Sequence, residues 1–149
     1  MITFKRTTSI DEDFIYLSHL FDDYLVDIDG DEKDFYSFYN NKFLENVLVF
    51  YNEKTAVGCG GFKKFNETTV EIKRMFVHPE HRKKGISNSI LLELENWAKE
   101  LGFKNCILET APKLEIAIVL YKKSGYTITE NYEQYIGLQN SLCMKKSLQ

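Results

Sequence analysis

The chain has 149 residues, 44% of them hydrophobic, 28% charged and 14% aromatic, with a formal net charge of −3. That is about one domain's length, and the composition excludes a disordered, collagen-like or coiled-coil chain. No apolar run reaches the roughly 18 residues of a membrane span. Met1-Ile2-Thr3-Phe4-Lys5-Arg6 shows neither a long apolar segment nor a small-residue cleavage site, so the expected location is cytoplasmic. Cys59, Cys106 and Cys143 are odd in number and far apart, with no Cys-x-x-Cys pair, which predicts buried thiols rather than a metal site or a disulfide framework.

In chain order, residues 2–6 read as a strand. Ser9-Ile10-Asp11-Glu12 has the capping-box pattern with Ser9 as N-cap, and Phe14, Leu17, Phe21, Tyr24, Leu25 and Ile28 follow at helical spacing to about Asp27. Gly30 stops that helix, and a short second helix is expected over Asp34–Phe43. Val47–Tyr51, Thr55–Lys64 and Thr69–Val77 read as strands joined by Asn-rich turns. From Gly85 the period becomes helical, with Ile86, Ile90, Leu94, Trp97, Ala98 and Leu101 on one face and Gly102 at the stop. Asn105–Glu109 is a further strand. Ile116, Val119 and Leu120 mark a shorter helix closed by Gly125, and Tyr126–Thr129 and Leu142–Lys146 complete the pattern. The order β-α-α-β-β-β-α-β-α-β-β, without repeat or linker, predicts one mixed α/β domain over residues 1–149.

Charge is unevenly spread. Ser9 to Asp34 holds ten acids and one base, Lys33, whereas Ile72 to Lys84 holds five bases and one acid, Glu80. The basic stretch is too short, and the protein too acidic, for nucleic acid; it suits a small phosphorylated ligand, with plain solvated faces as the alternative. That stretch lies between the strand ending at Val77 and the helix opened by Gly85. A helix N-terminus leaves about four N–H groups without partners, and a glycine there lets a phosphate approach the backbone. Arg82, Lys83 and Lys84 add positive charge. The spacing is neither that of a nucleoside-triphosphate loop nor the dinucleotide fingerprint. Asp27-Ile28-Asp29-Gly30-Asp31 fails as a calcium loop, since its glycine is misplaced and Phe38 stands where the bidentate glutamate belongs. His78 and His81 have no third ligand nearby, so no metal is expected.

Arg82-Lys83-Lys84-Gly85-Ile86-Ser87, following the strand Glu71–Val77, resembles the Arg/Gln-x-x-Gly-x-Gly/Ala signature of the GNAT superfamily of acetyl-CoA-dependent N-acetyltransferases. Ser87 stands where that family usually has Gly or Ala. Ala117-Ile118-Val119-Leu120-Tyr121-Lys122-Lys123-Ser124-Gly125-Tyr126 resembles the family's Ala-x-x-Leu-Tyr-x-x-x-Gly-Phe/Tyr block, and Glu109-Thr110-Ala111 also matches. The resemblance implies a single-domain GNAT-like α/β fold, in which a mixed central sheet flanked by helices splays around an acetyl-CoA cleft. The splayed strands would be Thr69–Val77 and Asn105–Glu109.

The resemblance further implies that backbone groups of Met75, Phe76 and Val77 pair with the pantetheine arm, and that N–H groups of Lys83, Lys84, Gly85, Ile86 and Ser87 take the pyrophosphate. Arg82 and Lys123 would lie beside the cofactor, and an N–H near Phe76 or Val77 would polarise the thioester carbonyl. An alkylammonium with pKa near 10.4 costs about 4.6 kcal/mol to deprotonate at pH 7. Glu71 aligns with the glutamate some members use as general base; a solvated strand charge is the alternative. Tyr121 matches the tyrosine that protonates the departing thiolate; a packing tyrosine is the alternative. Tyr132 and Tyr135 are read either as acceptor-pocket residues or as exposed loop aromatics. The expected partner is a small amine, cationic because the acidic run would attract it, with no nucleic acid or membrane, and a homodimer is admitted. The rivals are a protein or peptide N-acetyltransferase and a non-catalytic acyl-CoA-binding module.

Overall fold

A computed structural model of the chain describes residues 1–29 and 42–149, with the side chains of 27–29 left out. Its elements are β1 (Ile2–Thr7), α1 (Glu12–Asp29), β2 (Asn46–Asn52), β3 (Thr55–Asn66), β4 (Thr69–Val77), α2 (Ile86–Glu100), β5 (Asn105–Thr110), α3 (Glu115–Lys123), β6 (Thr127–Thr129) and β7 (Leu142–Ser147). Among the described residues, two 3-10 turns span Pro79–His81 and Glu133–Tyr135. The seven strands form one sheet in the order β1-β2-β3-β4-β5-β7-β6. Every neighbouring pair is antiparallel except β4 and β5, which run parallel. This is the mixed α/β domain that the periodicity predicts. The expected helix over Asp34–Phe43 and the Gly30 stop fall outside the described residues, apart from Lys42 and Phe43, which are exposed and not helical.

Alternation along the strands sends side chains to two cores. Leu48, Phe50, Val57, Phe62, Val70, Ile72, Cys106, Leu108 and Met144 pack with Ile86, Ile90, Leu91, Leu94 and Ala98 of α2 and with Tyr121 of α3. Val47, Val49, Cys59 and Phe76 pack with Phe14 and Leu17 of α1. The glycine-rich middle of β3 lets α2 come close: a Cβ at Gly60 would stand 2.9 Å from Ile90 Cγ2 and 3.0 Å from Leu94 Cδ1. All three cysteines are buried and free.

Two sequence expectations are corrected. Asp11, not Ser9, caps α1: its Oδ1 accepts the N–H groups of Asp13 (2.9 Å) and Phe14 (3.2 Å). Ser9 is used elsewhere, its Oγ accepting the Leu44 N–H at 2.8 Å and its own N–H donating to Leu44 O at 3.0 Å. The second correction concerns α3, which forms as expected but turns a different face inward. Ala117, Leu120 and Tyr121 meet the core, while Ile116 and Val119 are 86% and 50% exposed.

Candidate active site

β4 and β5 pair only from Thr69↔Asn105 to Ile72↔Leu108, although both strands run on, to Val77 and Thr110. Past that point they part, and a cleft of about 500 Å³ opens between them. A bulge in β4 lies just beyond the parting. Lys73 faces Gly61 and Phe76 faces Cys59, so Arg74 and Met75 both stand opposite Gly60, and Arg74 takes φ 59°. The bulge turns the Arg74 side chain to the α1 face of the sheet, where Phe76 also packs.

At one end of the cleft stands the loop into α2. Arg82 Nε donates to Val77 O at 2.9 Å, and its guanidinium lies 5.1 Å from the Tyr24 ring centre and 5.5 Å from that of Phe76. Lys83 (φ 66°) and Gly85 (φ 79°) turn the chain, and among the described residues no side chain caps the first turn of α2. The orphan N–H donors of that turn therefore stay available. A Cβ built on Gly85 meets no atom of the described residues within 4 Å, so the backbone is open there. Met75, Phe76, Val77, Arg82, Lys83, Gly85, Ile86 and Ser87 all line the cleft. Lys84 and Lys123 are exposed and do not line it.

At the other end the side chains are buried. Glu71 is 2% exposed, so it is not the solvated strand charge of the alternative reading. Its Oε2 accepts the Tyr132 hydroxyl at 2.7 Å, and its Oε1 lies 3.6 Å from Lys73 Nζ and 3.8 Å from Lys63 Nζ. Lys73 Nζ also donates to the Tyr135 hydroxyl at 3.4 Å. Burial lowers the Lys73 pKa below its ordinary 10.5, against the opposing pull of Glu71. Burial, with the Glu71 charge adding to it, raises the Tyr132 pKa. Tyr132 and Tyr135 are thus not exposed loop aromatics; Tyr135 is 1% exposed and lines the cleft with Glu71, Lys73 and Glu109.

Tyr121 reaches the same cleft from α3 and is 7% exposed. Burial, then the nearby Glu109 carboxylate, pushes its pKa up, so the phenol keeps its proton at neutral pH. Sequence reasoning missed Phe21, Tyr24, Leu25, Arg74 and Asn140 as wall residues. One signal was present for Arg74: neighbouring charges Lys73 and Arg74 inside a β-branched strand cannot share a face unless a bulge intervenes.

A family model described as the acetyltransferase (GNAT) family matches residues 14–126. The chain belongs to this family. An IAA acetyltransferase of Azospirillum brasilense is 29% identical over 157 residues, 99% of this chain and 98% of that protein. Probable N-acetyltransferase 14 of Xenopus tropicalis is 32% identical over 100 residues; they make up 66% of this chain but only 48% of that protein. Among solved structures, a candidate acyl-CoA N-acyltransferase from Klebsiella pneumoniae superposes with a TM-score of 0.84 at 26% identity, covering 100% of this chain and 99% of that one. The PaiA N-acetyltransferase of Thermoplasma acidophilum, solved with coenzyme A, shares the fold with a TM-score of 0.70 at 19% identity, covering 99% of each chain.

The acyl donor of a GNAT acetyltransferase is acetyl-CoA, and the residues present fit it. The space before Gly85, the uncapped α2 turn and the Arg82 and Lys83 charges suit a diphosphate. The edge of β4 released by β5 suits an extended amide-bearing arm.

Proposed function

We propose that the chain moves the acetyl group of acetyl-CoA directly to the primary amine of a small molecule that arrives as its ammonium ion. The observation that carries this reading is the continuity of one cleft from the open Gly85 turn to buried Glu71 and Tyr121. In it the N–H groups of Lys83, Gly85, Ile86 and Ser87 hold the diphosphate, and Met75, Phe76 and Val77 hold the pantetheine arm. A β4 N–H at Phe76 or Val77 polarises the thioester carbonyl.

Two protons leave nitrogen when an ammonium becomes an amide. Glu71 takes the first, directly or through water, and so offsets part of the roughly 4.6 kcal/mol that deprotonation costs at pH 7. The neutral amine then attacks the carbonyl carbon; the C–N bond forms, the C–S bond breaks, and its electron pair leaves on sulfur. Tyr121 donates its proton to that sulfur and recovers one from the amide nitrogen by way of solvent, so the products are the amide, free coenzyme A thiol and one proton. Direct attack is favoured over an acyl-cysteine route. Burial pushes the Cys59 and Cys106 thiols up to about 12 and the Cys143 thiol up to about 11, and none of the three lines the cleft.

The ammonium is drawn by acids inside the cleft, Glu71 and Glu109, rather than by the acidic run on α1. Three described acids of that run have other partners: Asp11 pairs with Lys5 at 2.7 Å, Asp13 accepts the Tyr51 hydroxyl at 2.6 Å and Asp22 pairs with Arg74 at 2.9 Å. Every group in the reaction comes from one chain, so a homodimer is compatible with it and adds nothing to it. The experiment is a screen of amines, amino acids and peptides with acetyl-CoA and a free-thiol readout. Amine-dependent thiol release is expected. Tight acetyl-CoA binding without release under any acceptor would replace the enzyme with a binding module, and turnover of peptides alone would make proteins the acceptor.

A further inference from the structure

Arg74 is buried to 4% exposure on the inner wall of the acceptor end, and the transfer chemistry does not use it. Its Nη2 is fully engaged, donating to Ser18 O and to Asp22 Oδ1 at 2.9 Å each. Its guanidinium lies 4.7 Å from the ring centre of Phe21. Nη1, by contrast, is buried and has no hydrogen-bond partner among the described residues. The Ser18 hydroxyl, on the residue whose carbonyl takes Nη2, is likewise buried and without a partner among the described residues. Arg74 and Phe21 both line the cleft, with Tyr24, Leu25 and Phe76 alongside.

A buried guanidinium nitrogen left without an acceptor is costly, because burial removes water without replacing its bonds. Tying α1 to β4 needs only Nη2. The unmatched N–H pair of Nη1, and the unmatched O–H of the residue whose carbonyl holds Nη2, are donors of the kind that a planar two-oxygen anion accepts. Asp22 pairs with Nη2, so Nη1 offers an anion its N–H donors rather than an unbalanced charge. The bulge that gives Arg74 its φ of 59° is the device that turns it to this face of β4, the strand that also carries Glu71.

We propose that Arg74, with the Ser18 hydroxyl, binds a carboxylate of the acceptor, so that the substrate is an aminocarboxylate: its ammonium lies toward Glu71, its carboxylate on Nη1, and its apolar portion against Phe21, Tyr24 and Phe76. This rests on the transferase reading above and narrows its acceptor from a cation to a zwitterion.

The test is a panel of matched acceptors assayed by thiol release: phenylalanine against 2-phenylethylamine, leucine against 3-methylbutylamine, and 4-aminobutanoate against butylamine. The best acceptor is expected to carry a carboxylate and to exceed its matched amine at least tenfold in kcat/KM. In Arg74→Lys and Arg74→Gln that ratio falls fivefold or more, whereas a purely structural arginine would lower both members of the pair alike. Acetyl-CoA binding by calorimetry identifies the variants that are folded, and Arg74→Lys keeps a cation for Asp22 if Arg74→Gln does not fold. A best acceptor without a carboxylate, a ratio below tenfold, or a ratio that survives in the variants overturns the proposal. Absence of thiol release with every acceptor, while acetyl-CoA still binds, instead removes the transferase reading on which it rests.

Discussion

At the Gly85 end of the cleft the binding groups are backbone N–H donors on an exposed turn, whereas at the Glu71 end they are side chains almost wholly removed from water. The first end is built from one contiguous stretch, 82–87, on the loop into α2. The second is assembled from α1, β4, β5 and the segment before β7, with Tyr132 reaching Glu71 across 61 residues of sequence. Backbone donors serve any ligand with a diphosphate and tolerate surface change. Buried ionisable groups must be balanced against one another, so the acceptor end carries stability and specificity together.

That contrast can be broken by substitution. Glu71→Gln should have the largest effect, lowering kcat/KM at pH 7 by about 100-fold or more, as loss of a general base does. The deficit should shrink as pH rises toward the amine's own pKa. A loss below tenfold at pH 7 in a pH-rate series would remove Glu71 from the reaction. Tyr121→Phe comes next, with kcat at least about tenfold lower and acetyl-CoA affinity by calorimetry unchanged, the pattern of an interaction made only in the transition state. An unchanged kcat would leave Tyr121 as packing.

At the other end, Gly85→Ala tests the backbone device. A non-glycine residue at φ 79° costs about 1–2 kcal/mol, and its Cβ occupies the space assigned to the diphosphate. Acetyl-CoA affinity should weaken by about tenfold, with the preference among acceptors intact. A changed acceptor preference would show that the two ends are not separable. The smallest effect concerns Lys73, whose pKa burial holds below 10.5. Between the folded and unfolded values the unfolded chain binds the extra proton, so Lys73 makes stability rise with pH through that window. Urea unfolding at pH 8 and 10.5 should show a more positive change in the wild type than in Lys73→Met. Equal changes would mean that Lys73 is not desolvated.

The same contrast explains what the sequence makes legible. Gly85, the bases before it and the change of period after it are local signals, so the turn, the helix and the cleft-lining residues Arg82, Lys83, Gly85, Ile86 and Ser87 can be read directly. Tyr121 is visible through the motif it belongs to, and Glu71 through its alignment with a glutamate that some family members use, on the strand before the first motif. The environment of Glu71 is not, because Lys63, Lys73 and Tyr132 converge on it only once β3, β4 and the segment before β7 are in place. Arg74 escapes notice because a one-residue bulge decides which face it occupies. Ile116 misleads periodicity since α3 borders the cleft: the residue lines the opening, and its exposed apolar side does not mark the core. Asp11 displaces Ser9 as the cap because the Leu44 backbone engages Ser9 first, a pairing 35 residues distant in sequence.

The account depends most on where coenzyme A sits, and a crystal structure of the chain with coenzyme A measures it directly. The diphosphate oxygens should lie within hydrogen-bond distance of the N–H groups around Gly85, with the pantetheine arm along β4 where β5 has parted from it and the sulfur near the Tyr121 hydroxyl. Coenzyme A bound with its diphosphate away from that turn, or outside the gap between β4 and β5, would contradict it.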